Sequence, residues 1–121
     1  MNGSVLVVDD DPAFRRIAHG ILAAFDLTVA GEADTAASAI SIAGTLQPDA
    51  VLVDVGLPDT DGIALARQLT ALPWHPRVVL TSTNAEAATA TEVRNSGAEA
   101  FLPKSMLPGA ALDELLGPRP G

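Results

Sequence analysis

Val5-Leu6-Val7-Val8-Asp9-Asp10-Asp11-Pro12 decides the reading of this chain. Three of its four apolar residues are β-branched, and no polar residue alternates with them. That is the pattern of a strand buried on both faces. The run stops abruptly at three acids. Asp11 and Pro12 then open a helix, the aspartate as its cap and the proline at the first helical position, where an N–H is not needed. A buried strand that ends in charge and turns straight into a helix is half of a βα repeat.

The pattern returns along the chain. Val51-Leu52-Val53 runs into Asp54, Val78-Val79-Leu80 into Thr81-Ser82, and Ala100-Phe101-Leu102 leads to Lys104. A shorter strand is expected at 27–30. Between the strands, Ala13, Phe14, Ile17, Ala18, Ile21 and Leu22 mark the inner stripe of a first helix. A second helix starts at Asp34 or Thr35, turns Ala36, Ala39, Ile40 and Ala43 inward, and ends before Pro48. A third is expected over 62–72, a fourth over 85–96 between an Asn84 cap and Gly97, and a last over 108–116. Alternation of this kind builds a parallel sheet covered by helices.

Parallel strands end on one edge, and ligands bind just outside that edge. Asp9, Asp10, Asp54, Thr81 and Lys104 therefore meet at one site. Two like charges about 4 Å apart repel by roughly 4 kcal/mol at an effective dielectric near 20. Lys104 offsets one of the three negative charges, and a divalent cation offsets the rest. With oxygen ligands only, no cysteine in the chain and no histidine nearby, the cation that fits is Mg²⁺. Asp54 stands alone after its strand, whereas Asp9 and Asp10 form a pair, so Asp54 is the nucleophile. A carboxylate can attack phosphorus to give an acyl phosphate, and Mg²⁺, Lys104 and Thr81 supply charge neutralisation and positioning. Asp11 serves only as a helix cap.

Five segments together resemble the receiver domain of bacterial two-component response regulators. They are Val5 through Pro12, Pro48 through Asp54, Leu57-Pro58-Asp59-Thr60-Asp61-Gly62, Val79-Leu80-Thr81-Ser82, and Gly97 through Lys104. In order and correctly spaced, they carry the resemblance across residues 4–116. It implies a doubly wound, five-stranded parallel sheet of order 2-1-3-4-5 (the flavodoxin-like fold) with helices on both faces. It also implies that Asp54 accepts a phosphoryl group from a histidine kinase or phosphotransfer protein, with Mg²⁺ as cofactor. Asp9, Asp10, Asp54 and the Gly56 backbone carbonyl would hold the metal. Thr81 would bond the phosphoryl oxygen and Lys104 would pair with it. Phe101 matches the switch aromatic, with a core phenylalanine as the rival reading. The face made by the fourth helix, fifth strand and fifth helix would bind a partner or a second copy.

One departure stands out. Receivers carry proline after the lysine, joined by a cis bond; here Ser105 follows Lys104. A cis bond to a non-proline residue costs about 2.5–4 kcal/mol, so either a strained cis bond or an altered loop is expected. Pro103 is compatible with a strand only at the sheet edge. Arg15 and Arg16 could contact a kinase or simply form a solvated helix face, while His19 and His75 lie away from the strand ends and are not catalytic.

Rival readings are weaker. A phosphatase using an aspartyl phosphate would need a second aspartate two residues after the nucleophile, where this chain has Gly56. A flavin carrier on the same topology would need a phosphate loop after the first strand, where Asp9-Asp10-Asp11 would repel it. A receiver-like module that binds partners without phosphorylation stays open because of Ser105.

Composition narrows the field further. At 121 residues the chain is expected to be one domain, 1–116, with 117–121 as a tail or linker. A net charge of −8 argues against a nucleic-acid surface. The absence of cysteine, of an 18-residue apolar stretch and of a signal peptide leads us to expect a cytoplasmic protein that spans no membrane.

Overall fold

A computed structural model describes residues 3–118. Its elements run β1 (Gly3–Val8), α1 (Pro12–Ala23), β2 (Leu27–Ala33), α2 (Ala36–Leu46), β3 (Ala50–Asp54), α3 (Gly62–Thr70), β4 (Arg77–Ser82), α4 (Ala90–Ser96), β5 (Ala100–Pro103), a 3-10 helix (Lys104–Gly109) and α5 (Leu112–Leu116). The five strands form one parallel sheet of order β2-β1-β3-β4-β5, as expected. β1 and β3, the most apolar strands, take central places because only there are both faces covered.

Strand alternation sorts the core into two layers. Leu6, Val8, Val51, Val53, Val78 and Leu80 face α2, α3 and α4, whose Ala39, Ala43, Leu65, Ala66, Leu69 and Val93 fill that side. Val5, Val7, Leu52 and Val79 face α1 and α5, meeting Phe14, Ala18, Leu22, Leu112 and Leu116. Small residues on α2 let the helix backbone lie close to the sheet, which is the structural use of the alanine-rich composition.

Several boundaries differ from the sequence reading. In α1 the row Phe14, Ala18, Leu22, spaced by four, is buried, whereas Ala13 is exposed and Ile17 is 59% exposed. Both lie one step around the helix from that row. β2 continues to Ala33, with a register shift opposite Val5/Leu6. α4 begins at Ala90, because Thr89 and Glu92 form a reciprocal capping box, Thr89 Oγ1 accepting from the Glu92 N–H and Glu92 Oε1 from the Thr89 N–H. Asn84 instead closes a local turn by accepting from the Glu86 N–H. α3 stops at Thr70, and α5 starts at Leu112, with Pro108 inside the preceding 3-10 helix.

Among the described residues no peptide bond is cis. The altered loop is the outcome after Lys104: the chain enters the 3-10 helix directly. Pro103 pairs with Ser82 on the edge strand, where its missing N–H faces no further strand. Gly117 is buried, and its carbonyl accepts from Arg77 Nη1 at 3.1 Å. Arg119, Pro120 and Gly121 of the expected tail lie outside the described residues. No helix among the described residues is long and apolar enough to cross a membrane.

Candidate functional site

β1 and β3 are hydrogen-bonded neighbours, so Asp9, just past the end of β1, and Asp54, the last residue of β3, are brought side by side. Carboxylate oxygens of Asp9, Asp10 and Asp54 all lie within 4.8 Å of one another. Asp9 and Asp54 are buried, and Asp10 is exposed. Asp54 also pairs with Thr81 across β3 and β4, and Lys104 follows β5. The structure thus collects Asp9, Asp10, Asp54, Thr81 and Lys104 at one sheet edge.

Asp9 is the most committed of the acids. Its Oδ1 accepts from the Asp11 N–H at 2.8 Å, and its Oδ2 stands 2.7 Å from Lys104 Nζ. That second contact is an ion pair without hydrogen-bond alignment, so a fully buried oxygen retains unused acceptor capacity. Asp54 Oδ1 accepts from the Gly56 N–H at 3.3 Å, and its Oδ2 is 4.0 Å from Lys104 Nζ. The ammonium also lies 4.1 Å from the centre of the Phe14 ring, a cation–π contact that fixes the lysine from the α1 side.

Burial, and after it the Asp9 charge, raise the Asp54 carboxyl above its ordinary value of 3.8, with Lys104 and the Gly56 N–H working against them. Folding therefore favours the protonated form of Asp54. Its contribution to stability falls as pH rises from the unfolded value through the folded one, so at neutral pH the ionised group costs stability. Asp54→Asn should stabilise the metal-free protein at pH 7 by on the order of 0.5–2 kcal/mol, as relief of an active-site conflict commonly does. Thermal unfolding in the presence of a chelator checks this. An equal or lower midpoint for the variant would show that Lys104 already offsets the cost.

A cation fits here. Three carboxylates against one ammonium leave an excess of negative charge, the donors are all oxygen, and Asp9 Oδ2 is a buried oxygen with no hydrogen bond. Gly56 lies in the loop after β3, joined to Asp61 by an isolated bridge.

Thr81 is fully buried, and its hydroxyl donates to the Leu102 carbonyl of β5 at 2.7 Å. Phe101 is half-buried against the α3/α4 layer. It lines a surface groove of about 390 Å³ with Ala88, Thr89, Val93 and Arg94. His19 pairs with Glu32, and His75 precedes β4 at the opposite edge of the sheet, so neither histidine reaches the acids. Arg16 is exposed, but Arg15 is tied down, to Glu32 and to the Asp9 carbonyl. Sequence reasoning missed the Phe14–Lys104 contact and a tether made by Asp59. The Asp59 carboxylate accepts from the Ala36 and Ala37 N–H groups at 2.9 and 3.1 Å, joining the loop after β3 to the start of α2.

Fold and site together define an open parallel α/β domain with an acidic pocket at the carboxyl ends of its strands. A family model for the response regulator receiver domain matches residues 5–115. The chain belongs to that family. The chemotaxis protein CheY of Thermotoga maritima is 27% identical over 95% of this chain and 96% of its own. A protein-glutamate methylesterase/protein-glutamine glutaminase of Anaeromyxobacter dehalogenans is 38% identical over 88% of this chain, but the match spans only 32% of that longer protein. The signal receiver domain of a putative NarL from Mycobacterium tuberculosis superposes with a TM-score of 0.80 at 31% identity, covering 94% of this chain and 96% of that one.

Proposed function

We propose that this chain is a phospho-accepting switch that takes a phosphoryl group on Asp54 from the phosphohistidine of a histidine kinase or a phosphotransfer protein. The observation that carries the reading is the convergence of three carboxylates within 4.8 Å and one ammonium at the strand ends. An Asp54 oxygen forms the bond to phosphorus as the donor's P–N bond breaks, and the electron pair leaves with the imidazole. Lys104, held between Asp9 and Phe14, faces the incoming charge, and the Gly56 N–H orients Asp54. Asp9, Asp10, Asp54 and the Gly56 carbonyl would hold Mg²⁺. When bound, it would neutralise excess charge and accept a phosphoryl oxygen.

Thr81 and Phe101 are the residues through which the added charge would be read. Thr81 touches β5 through its hydroxyl, and Phe101 sits on that strand beneath α4. The surface of α4, β5 and α5 is then the face offered to a partner or a second copy. Domain limits at 1–116 and a cytoplasmic setting belong to the same reading.

Intact-mass spectrometry after incubation with acetyl phosphate is the test. A single phosphoryl adduct that forms with Mg²⁺ and not with a chelator is expected. No adduct from acetyl phosphate or from a phosphohistidine donor would favour a module that binds partners without phosphorylation.

A further inference from the structure

We propose that Arg15 is a positioning residue for the cation site, holding the Asp9–Asp10 peptide from behind so that both carboxylates point into the pocket. The proposal rests on the reading of Asp9 and Asp10 as metal ligands.

Asp9 stands one residue beyond β1, where the strand ladder runs out. Its N–H is still paired, with the Ala33 carbonyl at 3.0 Å. The sheet contributes no partner to its carbonyl. Arg15 does: Nη1 donates to that oxygen at 2.6 Å. The same guanidinium donates through Nε to Glu32 Oε1 at 2.9 Å, and the Arg15 side chain is only 19% exposed. Glu32 lies on β2 and is itself paired with His19 Nε2 at 3.0 Å. One planar fork therefore spans from the edge strand to the peptide that joins the first two acids. That peptide's plane sets the direction in which the Asp9 and Asp10 side chains leave the backbone.

Arginine suits this task and lysine does not. A guanidinium presents donors in fixed directions and can satisfy a carbonyl and a carboxylate together, whereas an ammonium is a single point charge. The charge itself works in the other direction. A cation beside the pocket repels a second cation, so electrostatics alone predict that removing Arg15 would tighten Mg²⁺ binding. Positioning predicts the opposite sign.

Isothermal titration of the full chain with Mg²⁺ distinguishes the two, beside thermal unfolding and the amide NMR shifts of Asp9 and Asp10. Arg15→Ala is expected to weaken Mg²⁺ binding by on the order of 10-fold, in line with losses of groups that orient metal ligands. It should also move both amide signals in the metal-free protein. Arg15→Lys keeps the charge and loses the fork, so weakening there cannot be electrostatic; it carries the test if the alanine variant does not fold. Unchanged or tighter Mg²⁺ binding in a folded Arg15→Lys protein would overturn the proposal. Wild-type protein that binds no Mg²⁺ would remove the metal-site reading itself, a result distinct from a wild type that binds and variants that bind equally.

Discussion

Asp54→Ala is expected to abolish the phosphoryl adduct while leaving the fold intact. Of the two buried acids, Asp54 is the less committed. Asp9 has one oxygen on the Asp11 N–H and the other 2.7 Å from Lys104, and Asp10 stands exposed. Asp54 receives one long hydrogen bond from Gly56, and its nearest ammonium contact is at 4.0 Å. It is also the acid whose carboxyl is raised by burial and by the Asp9 charge, and a more basic carboxylate is a better nucleophile toward phosphorus. Peptide mapping of the adduct in wild type and variant checks the assignment. A phosphoryl group found on Asp9 or Asp10 in either protein would move the acceptor one strand across the sheet.

Gly62→Ala should cost about 3 kcal/mol, the upper part of the range for forcing an extra methyl into a packed interior. A methyl carbon built on Gly62 would fall 2.3 Å from the Asp54 carbonyl oxygen and 2.9 Å from its carbonyl carbon, with Val53 Cγ1 also at 2.9 Å. Two of those atoms are backbone and cannot swing aside. They belong to the proposed acceptor itself, and the Gly62 N–H is bound to the Val55 carbonyl at 2.7 Å. The clash therefore reaches stability and the site together. Chemical denaturation should show a lower midpoint, and the same preparation should phosphorylate more slowly. For the denaturation midpoint, Gly56→Ala is the matched control, because nothing lies within 4 Å of its added methyl. A Gly62→Ala protein as stable as wild type would mean that α3 can slide away from β3 at little cost.

Most of the sheet was legible because its signals are local. Uninterrupted apolar runs named the strands, and the polar residue closing each run named the site, since parallel topology alone brings those ends together. Receiver resemblance added the strand order, which the runs do not encode. Helix starts were less legible where two caps compete within one stretch. Asn84 and Thr89 are both good caps, and only Thr89 has a glutamate three residues on to complete the box. Ile17 misled because a helix of this period offers two adjacent apolar rows, and the sheet takes one.

What stayed hidden was long-range. Asp59 reads as a loop acid, yet it caps a helix that starts 23 residues earlier. Those two N–H donors hold its carboxyl below the usual value. That stabilisation is present above the unfolded value and is lost as pH falls through the folded one. Lys104 on the Phe14 ring and Arg15 on the Asp9 carbonyl are contacts between elements far apart in the chain, with no spacing to announce them.

A threonine hydroxyl owns a single hydrogen, and in this structure Thr81 gives it to the Leu102 carbonyl. A ligand at the strand ends that claims this hydrogen takes it from the edge strand. The side chain turns between staggered wells about 120° apart, so the exchange has no halfway state. The carbonyl it abandons then needs a new donor, which only a movement of β5 or an incoming water can bring. On the function proposed above, the last strand of the sheet would be wired to the acidic pocket as a two-position contact.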